Sequence, residues 1–209
     1  MARTKPFEEY PFQYEDWFER NKFAYTSELQ AIRRQLPEKG DAVEIGVGSG
    51  RFAAPLGIEI GVEPARTMSQ IARNRGVQVI RGVAEALPFR DSQFDSVLMV
   101  TTICFLDDVE LALKEASRVI RPNGSFVIGF IDRDSPLGRV YMNHRNESVF
   151  YKIASFYSVD EVVYHLKRAG FSDFGFSQTI FHNLEEIRDI EPVKEGYGEG
   201  SFVVIRAIK

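Results

Sequence analysis

The chain has 209 residues, 44% of them hydrophobic and 27% charged, with a formal net charge of -4 at pH 7. That length supports one well-buried domain and not two, and the acidic balance argues against a general affinity for nucleic acid or anionic membrane. A lone cysteine, Cys104, excludes an intrachain disulfide and points to a reducing, cytoplasmic setting; no apolar run is long enough to span a bilayer, and the N-terminus leads into Glu8 and Glu9 rather than a signal segment.

The first segment is aromatic: Tyr10, Phe12, Tyr14, Trp17, Phe18, Phe23 and Tyr25. From Tyr14 to Gln35 the apolar spacing predicts two helices, with Leu29, Ile32 and Leu36 as the core face of the second. This pair either packs on a sheet edge or closes as a lid over a ligand. Pro37-Glu38-Lys39-Gly40-Asp41 breaks the chain and delivers it to a first strand, 41–45. Residues 51–57, with Pro55, form a short connector of a turn or two of helix. A second strand, 58–62, ends at Glu63. Pro64 opens a helix with Met68, Ile71 and Ala72 on its apolar face and Gly76 at its stop. Residues 77–80 are a third strand and 82–89 a loop or short helix. The apolar run Phe94 to Val100 suits a fourth strand buried on both faces of a parallel sheet.

Asp107 or Asp108 caps the next helix, whose buried stripe is Val109, Ala112, Leu113, Ala116, Val119 and Ile120. Arg121-Pro122-Asn123-Gly124 is a turn, and Ser125 to Ile131 a fifth strand. Residues 132–149 read as a polar stretch and 150–157 as an aromatic one. Ser158-Val159-Asp160-Glu161 is a capping box opening a helix with Val159, Val162, Val163 and Leu166 inside. Two last strands, 171–180 and 201–208, lack a clear crossover helix, which predicts an antiparallel pair. The alternation of strand and helix gives an α/β fold with a mainly parallel sheet.

Open α/β sheets bind ligands at the carboxyl ends of their strands, and three polar features fall there. The first is the loop after strand one, Glu44-Ile45-Gly46-Val47-Gly48-Ser49-Gly50. Its glycines lack a Cβ, so a ligand can lie against the backbone, and Glu44 puts a carboxylate at its mouth. The second is Glu63, whose two oxygens can accept both hydroxyls of a ribose. The third is Ala84-Glu85, placed to meet a base edge. A nucleoside-bearing cofactor fits this order and spacing.

These stretches resemble the class I S-adenosylmethionine-dependent methyltransferases, and within them the small-molecule branch that includes the ubiquinone and menaquinone methyltransferases. The likeness runs from about Tyr14 to Phe171. Glu44 to Gly50 matches the family's acid-x-Gly-x-Gly-x-Gly motif. Gly61-Val62-Glu63-Pro64 matches its ribose-binding strand end, and Gly82 to Phe89 its adenine-flanking loop. Phe94-Asp95-Ser96-Val97 and Glu115 to Gly124 match the fourth strand and the turn before the fifth. The resemblance implies a Rossmann-like, doubly wound, mainly parallel seven-stranded sheet with an antiparallel C-terminal pair and an N-terminal helical lid. It also implies a single domain divided into a lid (1–40), a cofactor-binding core (41–131) and substrate-side loops with the C-terminal strands (132–209). Three departures stand out: Val83 replaces a frequent Asp, the helix after Gly50 is truncated, and Thr101 to Leu106 lacks the histidine found in many relatives.

The cofactor implied is S-adenosylmethionine, held by Glu44, Gly46, Gly48, Gly50, Glu63, Pro64, Met68, Ala84, Glu85, Thr101 and Thr102. The partner implied is a small-molecule methyl acceptor, with Tyr14, Trp17, Arg133, Arg139, Tyr141 and Tyr151 as candidate contacts. Methyl transfer from a sulfonium is an in-line displacement that depends mainly on placement and water exclusion, so no base is singled out and no metal is expected. His144, His165 and His182 lack metal-ligand spacing. Three other readings stand beside this one: a non-catalytic S-adenosylmethionine-binding module, a nucleic-acid methyltransferase, and a nicotinamide oxidoreductase. For the last, Arg51 occupies the place of the third fingerprint glycine.

Overall fold

The computed structural model describes residues 3–209. Two short helices, α1 (Lys5–Glu9) and α2 (Pro11–Arg20), each carry a proline in the first turn, where its missing N–H has no partner to lose. Helix α3 (Lys22–Gln35) buries Ala24, Ser27, Glu28, Ala31 and Ile32, a stripe at helical spacing. There follow β1 (Ala42–Ile45), the single-turn α4 (Ala53–Leu56), β2 (Ile60–Val62), α5 (Arg66–Asn74), β3 (Gln78–Ile80), β4 (Phe94–Val100), α6 (Val109–Val119) and β5 (Ile120–Ile131). The chain ends with α7 (Pro136–Asn143), α8 (Val159–Arg168), β6 (Ser172–Thr179), β7 (Lys194–Glu195) and β8 (Phe202–Ile208).

All eight strands form one sheet in the order β3-β2-β1-β4-β5-β8-β6-β7. The first five in that order run parallel; β8 is antiparallel to both β5 and β6. The order reverses at β1, so the gap between the carboxyl ends of β1 and β4 is the switch point where such sheets hold ligands. Both faces are covered. Val97 and Met99 pack with Leu113 of α6 and Leu166 of α8, whereas Leu98 and Val100 pack with Ala31 and Ile32 of α3. That alternation within one apolar run is what burial of β4 on both sides requires.

The structure departs from expectation in four places. The sheet has eight strands rather than seven, because the two-residue β7 adds to the edge of β6. The expected turn 121–124 is absorbed into β5, with Asn123 in the left-handed region at φ 65°. Helix α5 starts at Arg66, two residues beyond Pro64. The polar stretch after β5 contains α7, capped by the Ser135 side chain, which accepts from Gly138 N. The Ser158–Glu161 capping box and the Asp108 cap are present.

Candidate active site

Strand β1 feeds the loop 46–50, in which Gly46, Gly48 and Gly50 have φ of 70°, 54° and 81°, a region costly to residues with a Cβ. Their surroundings differ. A Cβ on Gly46 would lie 2.3 Å from Thr102 Cγ2, and one on Gly50 3.3 Å from Ala72 and Val77. Gly50 therefore admits protein side chains and stands apart from the cavity, whereas Gly46, packed on Thr102, still lines it. A Cβ on Gly48 would meet the Tyr14 hydroxyl at 3.3 Å, at the wall of a cavity.

That cavity, about 100 Å³, is lined by Gly46, Gly48, Glu63, Pro64, Val83, Ala84, Glu85, Thr101 and Thr102, among others. Glu63 is fixed in it by two backbone donors, Gly48 N at 3.0 Å and Ala65 N at 2.8 Å. Each of its oxygens keeps a further lone pair for a ligand hydroxyl. Burial pushes the Glu63 carboxyl up to about 7, against the pull of those two amides. Glu44 lies outside the cavity lining, 1% exposed, and its Oε2 has no hydrogen-bond partner. Burial, reinforced by the neighbouring Glu63, holds its carboxyl well above the ordinary range, with the Ala53 amide opposing. Glu85 Oε1 accepts from Asp107 N at 2.9 Å and Asp108 N at 3.2 Å, so it secures the loop before α6. Met68 is fully buried and Gly50 is packed on α5; neither lines the cavity.

Strand β4 is followed by two threonines. Thr101 has φ 47°, an uncommon conformation for a β-branched residue and a local strain. Its amide donates to Gly129 O at 2.8 Å. The Thr102 hydroxyl donates between Gly46 O at 3.2 Å and Val100 O at 3.0 Å, which ties β4 to the glycine loop.

A second cavity of about 230 Å³ adjoins the first, and Phe7, Tyr14, Thr101 and Phe105 line both. Of the six acceptor-side residues expected from sequence, Tyr14, Trp17, Tyr141 and Tyr151 line it. Arg133 and Arg139 do not: Arg133 is ion-paired to Glu161 at 2.8 Å, and Arg139 is exposed on α7. Sequence reasoning missed Phe7, Phe105, Phe150, Phe156 and Glu28, which also line it. Phe150 and Phe156 fall in the aromatic stretch 150–157 read from sequence without a role, and Glu28 carried a signal as an acid within the apolar stripe of α3, where unpaired charges are rare. Cys104 also faces this cavity; its thiol donates to Thr101 O at 3.3 Å and is pushed up to about 12 by burial, which removes it as a nucleophile.

The helices at the N-terminus, which contribute Phe7 and Tyr14 to both cavity walls, are held in place by two glutamates. Glu8 accepts from the Arg66 and Thr67 amides and the Thr67 hydroxyl, capping α5, whose own N-cap residue Ala65 has no side-chain acceptor. Glu15 accepts from Arg51 Nε at 3.0 Å and Nη2 at 2.7 Å, and from Arg75, while Arg75 also donates to Ser49 O at 2.6 Å. Between them, Tyr14 is held neutral by burial and by the Glu44 and Glu63 carboxylates.

A buried carboxylate held at a strand end, a glycine wall and a doubly wound sheet fit a nucleoside-cofactor enzyme, and the comparisons with known proteins narrow the class. The profile described as "Methyltransferase domain" matches residues 43–128. A crystal structure from Thermotoga maritima, described as a SAM-dependent methyltransferase and possible histamine N-methyltransferase, has 54% identity and a TM-score of 0.97, covering 99% of each chain. An uncharacterized protein of Methanocaldococcus jannaschii is 45% identical over 203 residues, 97% of this chain and 98% of its own length. The demethylmenaquinone methyltransferase of Tropheryma whipplei is 26% identical over 167 residues, 68% of this chain and 70% of its own. The chain belongs to the class I S-adenosylmethionine-dependent methyltransferases, and S-adenosylmethionine is its cofactor.

Proposed function

We propose that the protein transfers a methyl group to a small molecule, with the donor in the smaller cavity and the acceptor in the aromatic one. The observation that carries this reading is the contact of the two cavities through Tyr14 and Thr101 at the carboxyl end of the sheet. When bound, the cofactor supplies an electrophilic methyl on a sulfonium. Glu63 holds its ribose hydroxyls on the free lone pairs of both oxygens. The Gly46–Gly48 backbone and Thr101-Thr102 border its sulfonium end, and Pro64, Ala84 and Glu85 border its base. The unpartnered Glu44 Oε2 lies behind that wall, where its charge, once ionised, would favour the amino cation of the methionine portion from a distance. Gly50 and Met68 support this wall from behind.

On the acceptor side, Tyr14, Trp17, Tyr141 and Tyr151 place the substrate. Residues 1–40 act as the lid, 41–131 as the cofactor-binding core and 132–209 as the substrate-side portion. Rings around the acceptor and the lid above it exclude water, and placement supplies most of the acceleration. The half-buried lone Cys104 suits a reducing compartment such as the cytoplasm.

The test is Glu63→Gln. An alanine would orphan the Gly48 and Ala65 amides, each at about 1–3 kcal/mol, and confound binding with folding. Glutamine keeps one acceptor and loses the charge. Calorimetry should show S-adenosylmethionine binding weakened roughly tenfold or more in a folded variant; unchanged affinity removes Glu63 from the ribose role.

A further inference from the structure

Among the described residues, Glu28 is the one acid lining the aromatic cavity, and it is 4% exposed. Burial alone pushes its carboxyl up to about 8, with no charge or hydrogen bond opposing; among the described residues it has neither donor nor counter-ion. The one base lining the cavity, Arg20, is two-thirds exposed and ion-paired to Asp16 at 2.7 Å. Buried carboxyls without partners are costly and rare, and nothing in the packing of α3 calls for this one. Its neighbours indicate what completes it. Tyr141 and Tyr151 stack with centroids 4.3 Å apart, and both feel the Glu28 charge, as does Tyr25. Trp17 lines the same space. Aromatic faces attract cations, and more strongly in desolvated sites. A neutral ring compound would fill the space but leave Glu28 dry, and an anion would be repelled by it.

We infer that Glu28 is the recognition carboxylate for the methyl acceptor, and that the acceptor is a small amine whose ammonium pairs with Glu28 against the rings of Trp17, Tyr141 and Tyr151. This rests on the aromatic cavity being the acceptor site. Because Glu28 is largely protonated at neutral pH in the empty cavity, seating an ammonium beside it expels that proton to solvent. The three tyrosines within reach of the Glu28 charge stay neutral throughout, their phenols raised by burial.

The experiment is calorimetric titration of the wild type, Glu28→Gln and Glu28→Met in the presence of S-adenosylhomocysteine. The probes are benzylamine, phenethylamine and tyramine, each beside the alcohol that replaces its amino group. In the wild type at least one amine should bind roughly tenfold tighter than its alcohol, with release of close to one proton at neutral pH, read from buffers of different ionisation enthalpy. In both variants the preference and the proton release should disappear, while S-adenosylhomocysteine affinity and cooperative melting are kept. Alcohols binding the wild type as well as amines, no panel amine binding, or a preference that survives in Glu28→Gln would each overturn the inference. Failure of the wild type to bind S-adenosylhomocysteine would instead overturn the methyl-transfer reading beneath it.

Discussion

Three buried carboxyls, Glu28, Glu44 and Glu63, have their proton affinity raised chiefly by burial, and each contributes stability of the same sign. An acid raised in the folded state binds a proton that the unfolded chain has already released. For Glu28 the stability is fully present below about 4.5 and is lost as pH climbs through about 8. Replacing Glu28 by methionine should therefore stabilise the protein increasingly from acidic to mildly alkaline pH. The gain should reach the order of a few kcal/mol at the upper end. Urea denaturation of both proteins at about pH 5, 6.5 and 8 measures it; a gap independent of pH would show that Glu28 is not held protonated by the fold. The loss of stability is the kind that proteins carry where a site needs it.

Helices α1 and α2 owe their position to Glu8 and Glu15 more than to their own length. Five and ten residues are too few for a stable isolated helix. Glu15→Gln should loosen the clamp on Arg51 and Arg75. Amide exchange across 11–20 should then speed up roughly tenfold or more, with the β4 and β5 amides unchanged; uniform acceleration would mean that the clamp supports the whole fold instead. The elements read from sequence were those with a local cause: the apolar run of β4, the Ser158–Glu161 box of α8, the break at Pro37 to Asp41. Helix α7 escaped because glycine at 138 lowers helix propensity. There it serves a close approach, since a Cβ would lie 2.1 Å from Asp132 O. The Ser135-Pro136 start signal was present all the same. The glycine loop, Glu63 and the 84–85 loop were legible because they are contiguous motifs. The aromatic cavity was not, since its walls come from residues between Phe7 and Tyr157 and only tertiary packing brings them together. Arg133 and Arg139 lay in the right segment, but the turn capped by Ser135 and the Glu161 ion pair carry them away from the cavity.

Across the whole molecule, one sheet underlies both cavities, and its two faces are sealed by different helices. Leu166 of α8 lies on the face away from α3 and the N-terminal helices. Leu166→Ala should cost about 2–5 kcal/mol while leaving S-adenosylmethionine affinity within roughly twofold, measured well below the melting temperature. A loss of affinity matching the loss of stability would show that this face is coupled to the site. Where α1 and α2 sit has a kinetic consequence. The same short segment contributes to the walls of both cavities, with Phe7 and Tyr14 in each. If the two cavities are the proposed donor and acceptor sites, exchange at either one involves this shared segment, and the expected order is donor first, acceptor second and spent donor last. Initial-rate patterns should be those of a compulsory order, with S-adenosylhomocysteine competing against the donor and not against the acceptor.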